Sequence, residues 1–275
     1  MWYGRPMDTI TTATGTIAYD ERGSGPAVVL LPSGAHDRRD YDELRDLLPA
    51  DVRTIALDWP AHGDSPAPIV PATAMAFAAA VEEVVGALAP GGAVLVGNSV
   101  GGFAAARLAI RRPELVRGLV LIDSGGFARP WPHERVFCAL MGRPRFLRAI
   151  YPVFSWAYMR ARTDADRRAR ATAIATVRRP EGAATVTGVW RSFNDPEHDL
   201  RAQAGAIAAP TLVLWGRRDP VIPARVGRAV AAAIPGARLA VLDTGHVPHT
   251  SDPAAVAAEL QPFLASLERP AAVAA

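Results

Sequence analysis

The stretch Val94-Leu95-Val96-Gly97-Asn98-Ser99-Val100-Gly101-Gly102-Phe103 decides the fold of this chain. The apolar, valine-rich run at its start, 93–96, is typical of a central strand covered on both faces. The alanine-rich run 104–109 that follows predicts a helix. Glycines two residues before and two residues after Ser99 leave room for a tight turn. The pattern G-x-S-x-G therefore predicts a sharp strand-to-helix turn that exposes the hydroxyl of Ser99.

A serine hydroxyl at such a turn is a candidate nucleophile. The turn places the backbone N–H of Val100 at a helix N-terminus, where it can stabilise a developing oxyanion. A free serine hydroxyl reacts poorly, so Ser99 needs a base, and the base needs an acid that orients it. The remaining catalytic residues are therefore expected at the ends of other strands.

Length, composition and charge exclude several classes of protein. A chain of 275 residues can form one domain with an insertion, and its single cysteine, Cys138, excludes an intrachain disulfide. The net charge of +3 is small, and acidic residues interrupt the densest arginine cluster, so we expect no nucleic-acid partner. Neither a signal segment nor an apolar run long enough to cross a bilayer is visible in the sequence, which predicts a cytoplasmic protein without a membrane partner.

Strands and helices alternate along most of the chain. The predicted buried strands are 27–31, 52–58, 93–96, 118–123, 211–215 and 238–242. Helical segments and short connections separate most of these strands, which predicts an α/β fold with a mostly parallel central sheet and helices on both faces. Ligands of such sheets bind beyond the carboxyl ends of the strands.

One interval interrupts the alternation. Aromatic residues and arginines at loosely helical spacing fill 124–209, which predicts a helical cap inserted into a core formed by 1–123 and 210–275. Most of these aromatic side chains are expected to pack the cap against the core. Trp131 and Trp190 are the candidate substrate contacts within the cap.

Two strand ends supply partners for the serine. Asp219 follows the strand 211–215, and His246 follows the strand 238–242. The chain order Ser, Asp, His is the one that accompanies the G-x-S-x-G turn, whereas other serine hydrolases order the three residues differently. Asp123, at the end of the strand after the turn, is an alternative acid.

Four motifs resemble the α/β-hydrolase-fold superfamily. They are G-N-S-V-G-G at 97–102, W-G-R-R-D-P-V-I-P at 215–223, G-H at 245–246 and D-W-P-A-H-G-D-S at 58–65. The resemblance covers nearly all of the chain outside the cap. It implies Ser99 as nucleophile, His246 as general base and then acid, and Asp219 as the carboxylate that orients the imidazole. Some members of the family carry the acid at the position of Asp123. No cofactor is expected, and the spacing of the histidines predicts no metal site.

The loop 32–36, Pro-Ser-Gly-Ala-His, departs from the family, where this loop usually reads His-Gly-x. By position, the N–H of Gly34 supplies the second oxyanion donor beside that of Val100, and the proline does not remove it. His36 is interpreted either as a substrate contact or as part of a solvated loop. Asp40 is predicted to cap the helix that follows.

These features predict a cofactor-independent serine hydrolase that forms an acyl-enzyme from a small or medium apolar ester, thioester or lactone. Serine at the turn argues against the family members that use aspartate to act on epoxides and alkyl halides. Hydrolysis of a C–C bond and perhydrolysis, which use the same triad, remain open. A further alternative is a binding or biosynthetic protein with little hydrolytic turnover, because the loop 32–36 is unusual. The expected partner is a small-molecule substrate, and the sequence leaves the choice between monomer and homodimer open.

Overall fold

The computed structural model describes residues 7–128, 132–159 and 163–268. The strands of this part are β1 (Asp8–Thr12), β2 (Gly15–Arg22), β3 (Ala27–Leu31), β4 (Arg53–Leu57), β5 (Ala93–Asn98), β6 (Val116–Ile122), β7 (Thr211–Gly216) and β8 (Arg238–Leu242). The α-helices are α1 (Asp42–Leu47), α2 (Ala74–Leu88), α3 (Val100–Arg111), α4 (Pro132–Met141), α5 (Pro144–Met159), α6 (Asp164–Arg178), α7 (Pro180–Ser192), α8 (Ala224–Ala233), α9 (Pro248–Ser251) and α10 (Pro253–Glu268). None of the helices described is both long enough and apolar enough to span a bilayer.

The strands form one sheet in the order β1-β2-β4-β3-β5-β6-β7-β8. The pairs β1–β2 and β2–β4 are antiparallel, and every other neighbouring pair is parallel. All residues of β3 and β5 are buried, as expected for central strands that helices cover on both faces. The predicted α/β fold with a mostly parallel sheet is confirmed.

Each face of the sheet has its own apolar core. Side chains of β3 alternate between the two: Val29 packs in the cluster that contains Phe103 of α3, and Val28 packs in the cluster that contains Leu260 of α10. This alternation is the two-residue period of a strand, and it explains why continuous apolar runs are needed in the central strands.

Four helices, α4 to α7, lie between β6 and β7, where the sequence predicted a helical insertion. They have a third apolar cluster of their own, which includes Leu147, Tyr151 and Val186 and also takes in Ala35 and Val247 from loops of the core. These four helices, called the inserted helices below, therefore pack on loops that leave the strands. The exact limits of the cap at 124 and 209 stay a prediction.

The helix cap predicted at Asp40 is wrong. A 3₁₀ turn, Arg38–Tyr41, comes before α1, and the carboxylate of Asp37 accepts the N–H of Arg39 at its start, with 3.0 Å between nitrogen and oxygen. The chain therefore begins to turn before Asp40. The carboxylate of Asp40 instead binds the buried imidazole of His36, with 2.5 Å between oxygen and Nδ1.

Close backbone contacts leave no space for a side chain at the two glycines of the turn between β5 and α3. A Cβ atom on Gly97 would lie 2.3 Å from the carbonyl oxygen of Gly101, and one on Gly101 would lie 2.3 Å from that of Leu31. No side chain fits at either position without a shift of the backbone. The close approach leaves Ser99 at φ 56° and ψ −114°, a conformation that residues with a side chain rarely adopt.

We predict that Gly97→Ala lowers the free energy of unfolding by about 1–3 kcal/mol, because the new methyl group displaces backbone in a packed core. Gly86→Ala is the matched control: Gly86 lies in α2 with no atom within 4 Å of the added Cβ. That change is expected to raise stability by about 0.5–1 kcal/mol, the usual gain for alanine over glycine inside a helix. Urea unfolding followed by circular dichroism measures both, and equal effects would contradict the packing described here.

Candidate active site

Ser99 is held in its strained conformation by backbone hydrogen bonds on both sides. Its N–H donates to the carbonyl of Ile122 at 3.0 Å. Its own carbonyl accepts the N–H groups of Phe103 at 3.0 Å and Gly125 at 2.9 Å. The residue is half-buried and lines a cavity at the carboxyl edge of the sheet. The strand-to-helix turn therefore presents Ser99 to this cavity.

His246 and Asp219 are in direct contact. The distance from Nδ1 of His246 to Oδ2 of Asp219 is 2.6 Å, and both residues are buried. The other carboxylate oxygen of Asp219 accepts the N–H groups of Val221 at 2.7 Å and Ile222 at 3.2 Å. These bonds fix the carboxylate in a form that accepts from Nδ1–H, which leaves Nε2 of His246 to act as a base. His246 lines the same cavity as Ser99.

Two residues that sequence reasoning missed hold the backbone of His246. The side-chain amide of Asn98 donates to the carbonyls of Ile122 at 3.0 Å and His246 at 2.9 Å. The N–H of His246 donates to the carbonyl of Tyr158 in α5 at 2.9 Å. The sequence feature that could have identified Asn98 is its position, because it is a polar residue at the end of an otherwise apolar buried strand. The serine turn and an inserted helix thus both position the histidine.

Asp123, the alternative acid, is fully buried beside this pair. Its Oδ1 accepts the N–H of Gly216 at 2.9 Å, and its carboxyl group lies within 4.8 Å of ligand atoms of both Asp219 and His246. Burial, and after it the charge of Asp219, raise the pKa of Asp123 well above its usual value. This shift favours the protonated, neutral form of Asp123. The geometry brings Asp219, and not Asp123, into hydrogen-bonding contact with the imidazole.

The two candidate oxyanion donors are neighbours. Both Gly34 and Val100 line the cavity, and a Cβ on Gly34 would lie 4.0 Å from the side chain of Val100. Val100 is the first residue of α3, so its N–H has no partner within the helix. The unusual sequence of the loop 32–36 therefore leaves both residues at the cavity, and their role as oxyanion donors stays a prediction.

His62 fixes the loop that carries Gly34. Its Nε2 accepts the N–H of Ala35 at 2.9 Å, and its Nδ1–H donates to the carbonyl of Pro60 at 2.8 Å. Burial lowers the pKa of His62 to about 4, so the ring is neutral at pH 7 and keeps the lone pair that accepts from Ala35. The turn that contains His62 thus supports the adjacent loop as well as itself.

The structure places His36 differently from either interpretation of the sequence. Its side chain is completely buried and lies behind the cavity wall, between the carboxylate of Asp40 and the hydroxyl of Tyr158, 2.7 Å from Nε2. Its neighbour Arg38 is also buried, in an ion pair with Asp58. The loop is polar because it forms internal ion pairs and hydrogen bonds, and not because it is solvated.

The cavity has a volume of about 440 Å³ and a lining of mixed character. Apolar and aromatic side chains in it are Phe137, Tyr151, Phe154, Tyr158, Val186, Val189, Trp190, Val221 and Ile222. Besides Ser99 and His246, the polar side chains include Glu134, Arg135, Asn194, Asp195, His198, Asp199 and Arg201. Trp190, a candidate substrate contact, thus reaches the cavity, whereas Trp131 lies outside the described residues. Burial raises the pKa of the Cys138 thiol in this wall to about 11, so it stays protonated and weakly reactive.

Among the described residues, two groups have donor atoms close enough to hold a metal ion. The first comprises Asp123, Asp219 and His246, but the last two are already bonded to each other. The second comprises Asp195, Glu197 and His198, whose two carboxylates are exposed. In the first group, the facing atoms of Asp219 and His246 are therefore already engaged in hydrogen bonding. Catalysis without a metal or cofactor stays a prediction.

We predict that Asp219→Asn lowers kcat for an aryl ester by about 10³- to 10⁴-fold, since the amide no longer holds His246 in the required tautomer. Asp123→Asn is expected to cost about tenfold or less, because the carboxyl group of Asp123 binds the N–H of Gly216 and makes no hydrogen bond to the imidazole. Steady-state kinetics of the two purified variants provide the comparison. If Asp123→Asn proved the more damaging, the acid would have to be reassigned.

Comparison with known proteins identifies the family of this fold. A family model described as alpha/beta hydrolase fold matches residues 26–253. The chain is 30% identical to a 2-hydroxy-6-oxo-6-phenylhexa-2,4-dienoate hydrolase of Comamonas testosteroni, over 84% of each protein. It is 29% identical to a pimeloyl-[acyl-carrier protein] methyl ester esterase of Chromobacterium violaceum, over 79% of this chain and 85% of that protein. A thermophilic esterase from Thermogutta terrifontis has a similar fold, with a TM-score of 0.82 at 23% identity over 96% of this chain and 100% of the esterase.

Proposed function

Because this chain belongs to the alpha/beta hydrolase fold family, we propose that it is a serine hydrolase that cleaves a small or medium apolar ester, thioester or lactone through an acyl-enzyme. The observation that carries the proposal is that Ser99 and His246 line one cavity while the carboxylate of Asp219 holds Nδ1 of the imidazole. The apolar part of the wall supports a substrate with an apolar chain.

The proposed reaction has two steps. Oγ of Ser99 attacks the carbonyl carbon and its proton passes to Nε2 of His246, while the N–H groups of Gly34 and Val100 stabilise the oxyanion. The C–O bond to the alcohol, or the C–S bond to the thiol, then breaks, and His246 gives its proton to the departing oxygen or sulfur. In the second step a water molecule loses a proton to His246 and its oxygen attacks the acyl carbon. The bond from that carbon to Oγ of Ser99 then breaks, His246 returns the proton to Oγ, and the carboxylic acid leaves. The products are one acid and one alcohol or thiol, and a lactone gives a single hydroxy acid.

A second candidate is hydrolysis of a C–C bond, because the Comamonas testosteroni relative is named for a dienoate substrate. The same three residues would serve this reaction. Incubation with 2-hydroxy-6-oxo-6-phenylhexa-2,4-dienoate, followed by loss of its absorbance, distinguishes the two: faster turnover of this compound than of any ester would favour C–C hydrolysis.

We expect a fluorophosphonate probe to label the protein at one site, Ser99, and Ser99→Ala to abolish both labelling and ester hydrolysis. Loss of the nucleophile should lower kcat by about 10⁶-fold without unfolding the chain. Ser266→Ala is the matched control, because Ser266 is an exposed residue of α10. Intact-protein mass spectrometry measures the labelling, and release of an aryl alcohol measures hydrolysis.

Two results would contradict the proposal. Hydrolysis that persists in Ser99→Ala would mean that another residue is the nucleophile. A folded wild-type protein that neither hydrolyses esters nor reacts with the probe would instead support a binding or biosynthetic protein of the same fold.

A further inference from the structure

Four buried side chains form a continuous hydrogen-bonded chain from the loop after β3 into α5. The carboxylate of Asp40 binds Nδ1 of His36 at 2.5 Å, and Nε2 of His36 binds the hydroxyl of Tyr158 at 2.7 Å. The hydroxyl of Tyr158 in turn binds that of Tyr151 at 2.9 Å. None of the four residues is more than 6% exposed. For brevity they are called the Asp40–Tyr151 relay below.

The far end of the relay is part of the substrate cavity. Tyr151 and Tyr158 both line it, together with Ser99 and His246. The ring of Tyr158 meets that of His246 edge-on, with 5.9 Å between the ring centres. Apolar side chains pack against the two tyrosines, among them Phe154, whose ring centre is 6.0 Å from that of Tyr151. The two hydroxyl groups are therefore polar atoms within a largely apolar cluster.

The direction of the hydrogen bonds depends on how many protons Asp40 and His36 share, because either tyrosine hydroxyl can act as the donor. If Asp40 and His36 shared a single proton, the pair would carry a negative charge inside the protein, which is costly. Burial raises the pKa of Asp40, which favours a second proton and a neutral pair. With two protons shared, Nε2 of His36 carries a hydrogen and donates it to the oxygen of Tyr158. Tyr158 then donates to Tyr151.

At this end, the proton of Tyr151 has no acceptor within the relay. In this two-proton arrangement the oxygen of Tyr151 accepts from Tyr158, and the O–H of Tyr151 is directed onward. Burial also raises the pKa of both phenols above the usual value, so both keep their protons at neutral pH. In an apolar wall, a donor without a partner disfavours a purely hydrocarbon chain and favours one that carries an oxygen acceptor.

We propose that the hydroxyl of Tyr151 forms a polar subsite that donates a hydrogen bond to a second carbonyl oxygen of the substrate, apart from the carbonyl that is cleaved. The preferred substrate is thus an oxo ester, thioester or lactone rather than a simple alkyl ester. Tyr151 contacts the substrate, and Tyr158, His36 and Asp40 are positioning residues that orient its hydroxyl. The proposal rests on the serine hydrolase function proposed above.

Hydrolysis of pentyl pentanoate and of its mono-oxo analogues tests the subsite. The analogues carry one ketone at carbon 3 or 4 of either the acyl or the alkyl chain, so both sides of the cleaved bond are sampled. We expect kcat/KM of at least one analogue to exceed that of the parent ester by about 3- to 10-fold, the usual value of one hydrogen bond. Tyr151→Phe, which keeps the ring, should bring that ratio close to one.

The ratio of kcat/KM for an oxo analogue to kcat/KM for the parent ester separates a binding role of Tyr151 from a structural one. A loss of folded protein lowers both values equally and leaves their ratio unchanged. Tyr41→Phe is the matched control: Tyr41 is completely buried, its hydroxyl donates to the carbonyl of Leu31 at 2.9 Å, and it does not line the cavity. This variant should keep the ratio of the wild-type protein. Tyr158→Phe, which interrupts the relay, should lower the ratio part of the way.

The outcomes are distinct. A wild-type ratio near one for every analogue, or a ratio that survives in Tyr151→Phe, would refute the subsite while leaving the hydrolase function intact. Absence of Ser99-dependent hydrolysis for the parent ester and all analogues would refute the proposed function, and the subsite would fall with it. A preference that Tyr151→Phe removes and Tyr41→Phe keeps supports the subsite.

Discussion

The strained backbone of Ser99 is the constraint on which the arrangement of the site depends. The described non-glycine residues with positive φ are Ala35, Ala61, Ser99 and Asp123, and each lies in the loop that follows one of the strands β3 to β6. Such conformations cost about 1–3 kcal/mol each and persist only where the surrounding structure enforces them. Here the buried parallel strands do so, and the strain is confined to the edge of the sheet that faces the cavity.

Buried polar contacts connect these loops to one another. Asn98 joins the serine turn to the backbone of His246, and His62 joins the turn after β4 to the loop that carries Gly34. The two neighbouring carboxyl groups differ in their surroundings: Asp219 accepts from His246, whereas burial and the charge of Asp219 raise the pKa of Asp123. This difference favours a single negative charge beside the imidazole, which avoids repulsion between two carboxylates.

Short sequence patterns predicted those elements whose structure depends on residues close to one another in the chain. Apolar runs identified the central strands, and G-x-S-x-G identified the turn, because its glycines are required by contacts within and next to that turn. The contact between His36 and Tyr158 was not predictable, since 122 residues separate them and no periodicity relates them. The helix cap predicted at Asp40 is wrong because the prediction considered only the residues that follow Asp40, whereas its carboxylate binds the buried imidazole of His36.

The proposed acyl transfer requires that Ser99, His246 and the N–H groups of Gly34 and Val100 all lie around the reacting carbonyl group of the substrate. A crystal structure of the protein after reaction with a small alkyl fluorophosphonate tests this most directly. We predict phosphorus bonded to Oγ of Ser99, with the phosphonyl oxygen about 2.7–3.1 Å from the nitrogens of both Gly34 and Val100. A phosphonyl oxygen directed away from these nitrogens, or an adduct on another residue, would contradict the central claim.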